Sequence, residues 1–262
     1  MTFKTLTELA NLYGTDKGTI GPTPEWEPHN YTDIYEAYLA RHRQSAITIL
    51  EIGLGVTGPQ WETTIVQGRN TGGASVKMWH DYFPKARIVG IDVNPCPYLD
   101  NDRIRTFVAD QGNPEDLQAI VEAAGGIEFD VIIDDGSHRP DHQQVSFSVL
   151  FKRLKAGGLY FIEDLLANGF GDHLSSRHAN DSVRNTRSVL KHFQQTGNFL
   201  EPNALIDPDA LKAQMASLTF HAPKPWVDNV RYPADTEQIC VITKKPAPRK
   251  PSLFSWFTSR GA

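Results

Sequence analysis

The chain has 262 residues, a net charge of −5 and 40% apolar residues, so it can build one large soluble-type domain and lacks the basic stripe of a nucleic-acid binder. No apolar run approaches a membrane span, and the opening Met1-Thr2-Phe3-Lys4-Thr5-Leu6 has no long apolar stretch of the signal-peptide kind. Cys96 and Cys240 stand far apart and outside any metal-binding spacing, which predicts free thiols in a reducing, cytoplasmic compartment.

Taken in order, residues 4–13 have helical spacing, with Leu6, Leu9, Ala10 and Tyr13 on one side. Gly14-Thr15-Asp16-Lys17-Gly18 breaks that helix, and Gly- and Pro-rich sequence follows to Pro28. Asp16 and Lys17 are expected at the rim of a cleft. Tyr31 to Leu39 reads as a second helix, whose tyrosines predict a packed face, the alternative being that Tyr31 or Tyr35 lines a cleft. Residues 1–45 are thus expected to form an N-terminal helical cap, 46–244 the main domain, and 245–262 a flexible basic tail with Phe254, Trp256 and Phe257.

The first buried strand runs from Ile47 into Gly53-Leu54-Gly55-Val56-Thr57-Gly58, a G-x-G-x-x-G turn of the kind that lets a ligand approach the backbone. The helix that normally follows is delayed: residues 59–71 form an insertion, expected to be a lid or substrate wall, and the helix starts near Gly72-Gly73-Ala74-Ser75. Arg87 to Asp92 is the second strand, and its terminal Asp92 is expected to accept hydrogen bonds from ribose hydroxyls. Arg103 to Val108 is a third strand, ending in Ala109-Asp110-Gln111-Gly112. A helix follows over Glu115 to Ala124 behind Pro114.

Residues 128–164 organise the rest. Phe129 to Ile133 and Leu159 to Ile162 are short apolar runs suited to parallel strands buried on both faces, and Asp141 to Leu154 between them has helical spacing. A right-handed βαβ unit delivers Asp134-Asp135 and Glu163-Asp164 to the same sheet edge, where open α/β folds bind ligands. Carboxylates crowded there repel one another, which predicts a hard divalent cation. Beyond this unit, helices are expected over Asp181 to Phe193 and Asp207 to Met215. Closing edge strands are expected over Ser217 to His221 and Ile239 to Thr243.

The order of these pieces resembles a class I S-adenosylmethionine-dependent methyltransferase. Leu50-Glu51-Ile52-Gly53-Leu54-Gly55 is similar to the first motif of that fold, and Glu51 favours it over an NAD-dependent dehydrogenase, the competing reading. A narrower resemblance covers residues 14–165, through Gly14-Thr15-Asp16-Lys17-Gly18, His29-Asn30-Tyr31-Thr32-Asp33-Ile34-Tyr35-Glu36, Gly73 to Trp79, Ile132-Ile133-Asp134-Asp135-Gly136-Ser137-His138 and Gly158 to Leu165. These look like the macrocin and mycinamicin type of sugar O-methyltransferase. The resemblance implies a Rossmann-like, mostly parallel seven-stranded sheet with helices on both faces and an N-terminal helical extension.

It further implies S-adenosylmethionine and Mg2+ as cofactors, a small-molecule hydroxyl acceptor in natural-product or antibiotic biosynthesis, and a homo-oligomer. By residue, it implies Asp135, Glu163 and Asp164 as metal ligands and His138 as general base. Glu51, Gly53, Gly55 and Asp92 are expected to hold the cofactor. Ser75 is placed at a helix start near its methionine carboxylate, and Asp110 and Gln111 near its adenine. Two adjacent acceptor hydroxyls would suit open positions on the cation, so a vicinal diol is the expected acceptor, and a histidine is the side chain suited to general-base work near neutrality. A hydroxylase-like tailoring role within the same fold is a further alternative. From about Leu166 the chain departs from the family, which leaves the acceptor open.

Overall fold

The structure, a computed structural model, describes residues 3–22, 27–56, 72–166, 183–223 and 236–248. Gly58, the 59–71 insertion, Asp181 and the aromatic residues of the tail lie outside them. Seven strands form one sheet: β1 (Thr48–Ile52), β2 (Arg87–Asp92), β3 (Ile104–Val108), β4 (Phe129–Asp134), β5 (Leu154–Ile162), β6 (Met215–His221) and β7 (Ile239–Lys244). Their order is β3-β2-β1-β4-β5-β7-β6, with β1 to β5 parallel and β7 antiparallel to both its neighbours. The chain therefore steps outward from β1 in one direction and from β4 in the other. The gap between β1 and β4 at the carboxyl edge is the topological switch point where such sheets take ligands.

The two faces are covered by different helices. α1 (Leu6–Tyr13), α2 (Thr32–Leu39) and α3 (Ala74–Tyr82) pack on one face, where Leu6, Tyr35 and Trp79 join Ile49, Ile133 and Phe161. α4 (Pro114–Ala123), α5 (Pro140–Leu150), α6 (Thr186–Thr196) and α7 (Pro208–Gln214) cover the other, where Leu117, Phe147, Leu190 and Leu211 meet Leu50, Ile132 and Tyr160. Alternate strand residues go to opposite faces, as a pleated sheet requires.

Local chemistry sets most boundaries. Thr5 and Glu8 form a capping box at α1, and Gly14 ends it in the left-handed region at φ 72°. Asn113 caps α4, with Pro114 at its first position.

Two boundaries and one strand position differ from the sequence expectations. α5 stops at Leu150, because a tight turn over Phe151–Arg153 returns the chain and Leu154 already pairs with Phe129 in β5. α6 begins at Thr186 rather than Asp181, where the Asn185 side chain accepts from the Arg187 amide. β7 is not an edge strand but sits between β5 and β6. Ile239 to Ile242 are buried throughout, whereas β6 is half exposed and forms the edge.

Candidate active site

Parity along the strands decides which acids meet. On β1, β4 and β5 the residues Ile49, Ile133 and Phe161 face α1–α3, so Glu51, Asp135 and Glu163, two residues further on, face the same way. Pairing continues past the strand ends: the Asp135 amide donates to Ile52 O at 3.0 Å and the Glu163 amide to Asp134 O at 2.9 Å. Asp134 points to the opposite face, where Gln111 Nε2 donates to it at 2.5 Å and Ser146 Oγ at 2.6 Å, and burial pushes its carboxyl up to about 6. It braces the loop from behind.

The three inward acids surround a residue that the sequence placed on the cleft rim. Lys17 is fully buried. Its ammonium bonds Asp135, lies 2.9 Å from Glu163 and stands 3.7 Å from Glu51 Oε1. Burial alone would depress the lysine pKa, but Asp135, Glu163 and Glu51 together hold it well above the usual value, so the ammonium stays charged. The sequence signal was indirect: three acids sharing one face demand a cation, and Gly14-Thr15-Asp16-Lys17-Gly18 holds a lysine ready to enter.

Asp164 sits apart from this knot. Tyr31 OH donates to its Oδ1 at 2.6 Å, His29 Nδ1 lies 3.4 Å from the same oxygen, and His138 Nε2 lies 3.6 Å from Oδ2. Burial would raise its carboxyl, but His29, His138 and Tyr31 outweigh that and hold it below the ordinary range. Asp164 and His138 both adopt positive φ, 51° and 57°, a conformation that costs a side-chain-bearing residue energy and concentrates at functional sites. Among the described residues, Asp135, His138 and Asp164 bring donor atoms within 4.8 Å of one another.

Glu163, expected as a third ligand, is outside that group. Glu163 is engaged by Lys17 and by the Tyr35 hydroxyl, whereas Asp164, past the strand end at φ 51°, lies beside His138. Tyr31 and Tyr35 thus satisfy both readings of the second helix, since their rings pack in the core while their hydroxyls reach the acids. His29 was not singled out by the sequence, because nothing local distinguishes it.

The expected cofactor residues divide. Gly53 turns at φ 82° directly against the Asp135–Gly136 backbone, and Gly55 turns at φ 64°. Asp92 accepts from the amides of Leu54 at 2.9 Å and Asn94 at 2.9 Å, so it organises the glycine turn. The amide of Gly73 donates to Leu54 O at 2.7 Å, which ties the start of α3 to the glycine turn. Asp110 is an exposed turn residue accepting from the Gly112 amide at 2.8 Å. Gln111, expected at the adenine edge, instead spends its amide on Asp134 and on the Ser137 amide, at 3.0 Å.

Glu51 is fully buried beside Ser75 and Trp79 of α3, and among the described residues no donor meets its oxygens at full hydrogen-bond geometry. Burial first, and Asp135 against the help of Lys17, push its carboxyl up to about 7 from an ordinary 4.5. A raised folded-state pKa means that the fold favours the proton: the ionised group costs stability increasingly from pH 4.5 upward and fully above about 7. Glu51→Gln is therefore expected to stabilise the metal-free protein at pH 8, by on the order of 3 kcal/mol. The gain should vanish near pH 4.5, as thermal melts across pH in chelator would show; a gain independent of pH would refute the linkage.

No family model matches the chain. It is 40% identical over 175 residues to 8-demethyl-8-(2-methoxy-alpha-L-rhamnosyl)-tetracenomycin-C 3'-O-methyltransferase of Streptomyces olivaceus, a match covering 66% of this chain and 40% of that protein. It is 36% identical over 162 residues to mycinamicin VI 2''-O-methyltransferase of Micromonospora griseorubida, covering 61% of this chain and 36% of the relative. The chain thus spans about two fifths of the length of these curated relatives. Among solved structures it superimposes on the MycE methyltransferase of the mycinamycin pathway, in complex with Mg, SAH and mycinamycin VI, with a TM-score of 0.65 and 25% identity over 95% of this chain and 57% of that one. The fold is the Rossmann-like class I methyltransferase fold, and these homologues are sugar O-methyltransferases.

Proposed function

We propose, starting from that homology, that the chain is an S-adenosylmethionine-dependent, Mg2+-assisted O-methyltransferase acting on a hydroxyl of a sugar or other natural product. The observation that carries this reading is the convergence within 4.8 Å of Asp135 and His138, on the loop that packs against the glycine turn, with Asp164 after β5. The donor set suits a hard ion: two carboxylates with an imidazole beside them. Asp135 and Asp164 would hold Mg2+, which when bound supplies Lewis acidity that lowers the pKa of an acceptor hydroxyl. A vicinal diol fits such a site, because its second hydroxyl adds an oxygen ligand. The clustered acids and the homologues together disfavour hydride transfer, which needs no cation, and the hydroxylase-like alternative.

The chain's own residues divide the remaining work. The backbone of Gly53 and Gly55, with Asp92 behind it, would seat the nucleoside end of the methyl donor, and Glu51 with Ser75 its amino-acid end. His138 would take the proton of the acceptor hydroxyl during methyl transfer from the donor, and Asp164, 3.6 Å from Nε2, would stabilise the resulting imidazolium. Tyr31 and His29 hold Asp164 from its other oxygen.

His138→Ala is expected to lower turnover by about 10²–10⁴-fold while Mn2+, used as a probe of the metal site, still binds. Loss of Mn2+ binding in that variant would make His138 a ligand instead, and near-normal turnover would exclude it from the chemistry.

A further inference from the structure

One face of α5 carries a residue that its apolar neighbours do not explain. Gln143, Ser146, Phe147 and Leu150 share that face by their spacing, and all four are buried. Phe147 and Leu150 fill the core with Ile132 and Tyr160, and Ser146 bonds Asp134. A glutamine in that row costs free energy unless its amide is satisfied. Gln143 is 1% exposed, and its Nε2 donates to the backbone carbonyl of Glu163 at 3.1 Å.

That carbonyl belongs to the peptide joining Glu163 to Asp164. On the far side of Asp164, the amide of Leu165 donates to Gln238 O at 2.9 Å. The two peptide planes that flank Asp164 are therefore each held by a hydrogen bond, one from a side chain of α5 and one to the start of β7. Between them Asp164 sits at φ 51°, a conformation that an aspartate keeps only where its surroundings enforce it. Rotation of the Glu163–Asp164 peptide would release that strain. It would also move the Asp164 carboxylate relative to His138, 3.6 Å away, and to Tyr31, at 2.6 Å. The same helix turn reaches back toward the base, since the Gln143 amide donates to Arg139 O at 2.9 Å, one residue after His138.

We propose that Gln143 is a positioning residue. By holding the Glu163 carbonyl it fixes the peptide between the two acids that follow β5, and so keeps both carboxylates where a divalent ion needs them. The proposal rests on the reading that such an ion binds at this edge. It predicts a loss of metal affinity when the amide is removed. Affinity for the methyl donor should be spared, because Gly53, Gly55 and Asp92 take no part in this bond. A glutamine that served only to stabilise the fold would not separate the two ligands.

The test is calorimetric titration of the whole chain with MnCl2 and, separately, with S-adenosylhomocysteine. The parent is compared with Gln143→Met, which keeps the length of the side chain and removes its donor. Mn2+ affinity is expected to fall about 10–100-fold, the usual cost of losing a group that orients a metal ligand, with S-adenosylhomocysteine affinity unchanged. Ser148→Ala is the control. It removes another buried polar group of α5, the acceptor for the Ile206 amide at 2.9 Å, and leaves the Glu163 carbonyl held, so it should bind Mn2+ like the parent. Should Gln143→Met fail to fold, Gln143→Asn makes the same comparison with an amide one methylene too short for the carbonyl. Parent-like Mn2+ affinity in the folded Gln143 variant, an equal loss for both ligands, or equal weakening in Ser148→Ala would overturn the role of Gln143 while leaving the metal site intact. A parent that binds no Mn2+ would instead remove the metal reading itself, and this inference with it.

Discussion

Asp135→Asn is expected to lower methyl transfer by about 10³-fold with little loss of folded protein. The magnitude follows from the several kcal/mol that a positioned cation contributes to an ionising hydroxyl, at 1.36 kcal/mol per tenfold in rate. Asparagine keeps the shape of the side chain and discards its charge. Asp135 is the one acid that belongs both to the group with His138 and Asp164 and to the contacts of Lys17. The variant therefore loses a ligand. The buried ammonium still faces Glu163 at 2.9 Å and Glu51 at 3.7 Å, so an uncompensated charge is not created. The two effects separate experimentally. Turnover should collapse and the rise in melting temperature on adding Mn2+ should disappear, since a ligand that binds only the folded state stabilises by mass action. The melting temperature in chelator should barely move. Parent-like turnover in Asp135→Asn, or in the parent under chelator, would take the metal out of the mechanism.

Gly53→Ala should have the opposite profile, a structural failure that carries every site function with it. Gly53 sits at φ 82°, and a Cβ there would lie 2.6 Å from Gly136 Cα as well as against the Asp135 carbonyl. Neither neighbour can yield as a flexible side chain would, because both are main chain and the Asp135 amide is tied to Ile52 O. The left-handed conformation and the overlap together are expected to cost about 3 kcal/mol or more. In a chain of this size that lowers the melting temperature by about 10 °C. Donor binding and Mn2+ binding should fall together, because the glycine turn and the Asp135 loop share one contact. An unchanged melting temperature, or loss of one ligand with the other intact, would show that the two loops are not so coupled.

These variants also mark where sequence reasoning stopped. The order of strands and helices was readable because each element carries its own period and its own punctuation: an apolar run ending in acid for β4, a delayed helix behind Gly72-Gly73 for α3. That Asp135 and Asp164 approach one another followed from the parallel βαβ connection alone. The choice among neighbours did not. Asp134 and Asp135 are chemically identical in a sequence, as are the carboxyl groups of Glu163 and Asp164; parity on the sheet sends Asp134 to Ser146 and Glu163 to Lys17, while Asp164 leaves strand geometry at φ 51° and lies beside His138. Parity could have been counted from Ile133 and Phe161. What answers it from across the molecule could not.

By itself, then, the sequence determined the class of fold, the edge of the sheet that carries the chemistry, and the excess of negative charge gathered there, because all three depend on short-range pattern and on the handedness of one connection. Tertiary structure alone decided how that charge is shared out. A lysine 118 residues from Asp135 and 146 from Glu163 is carried into the cluster by the packing of α1 and α2. A contact of that span is selected by the free energy of the whole core, which no local window of residues records.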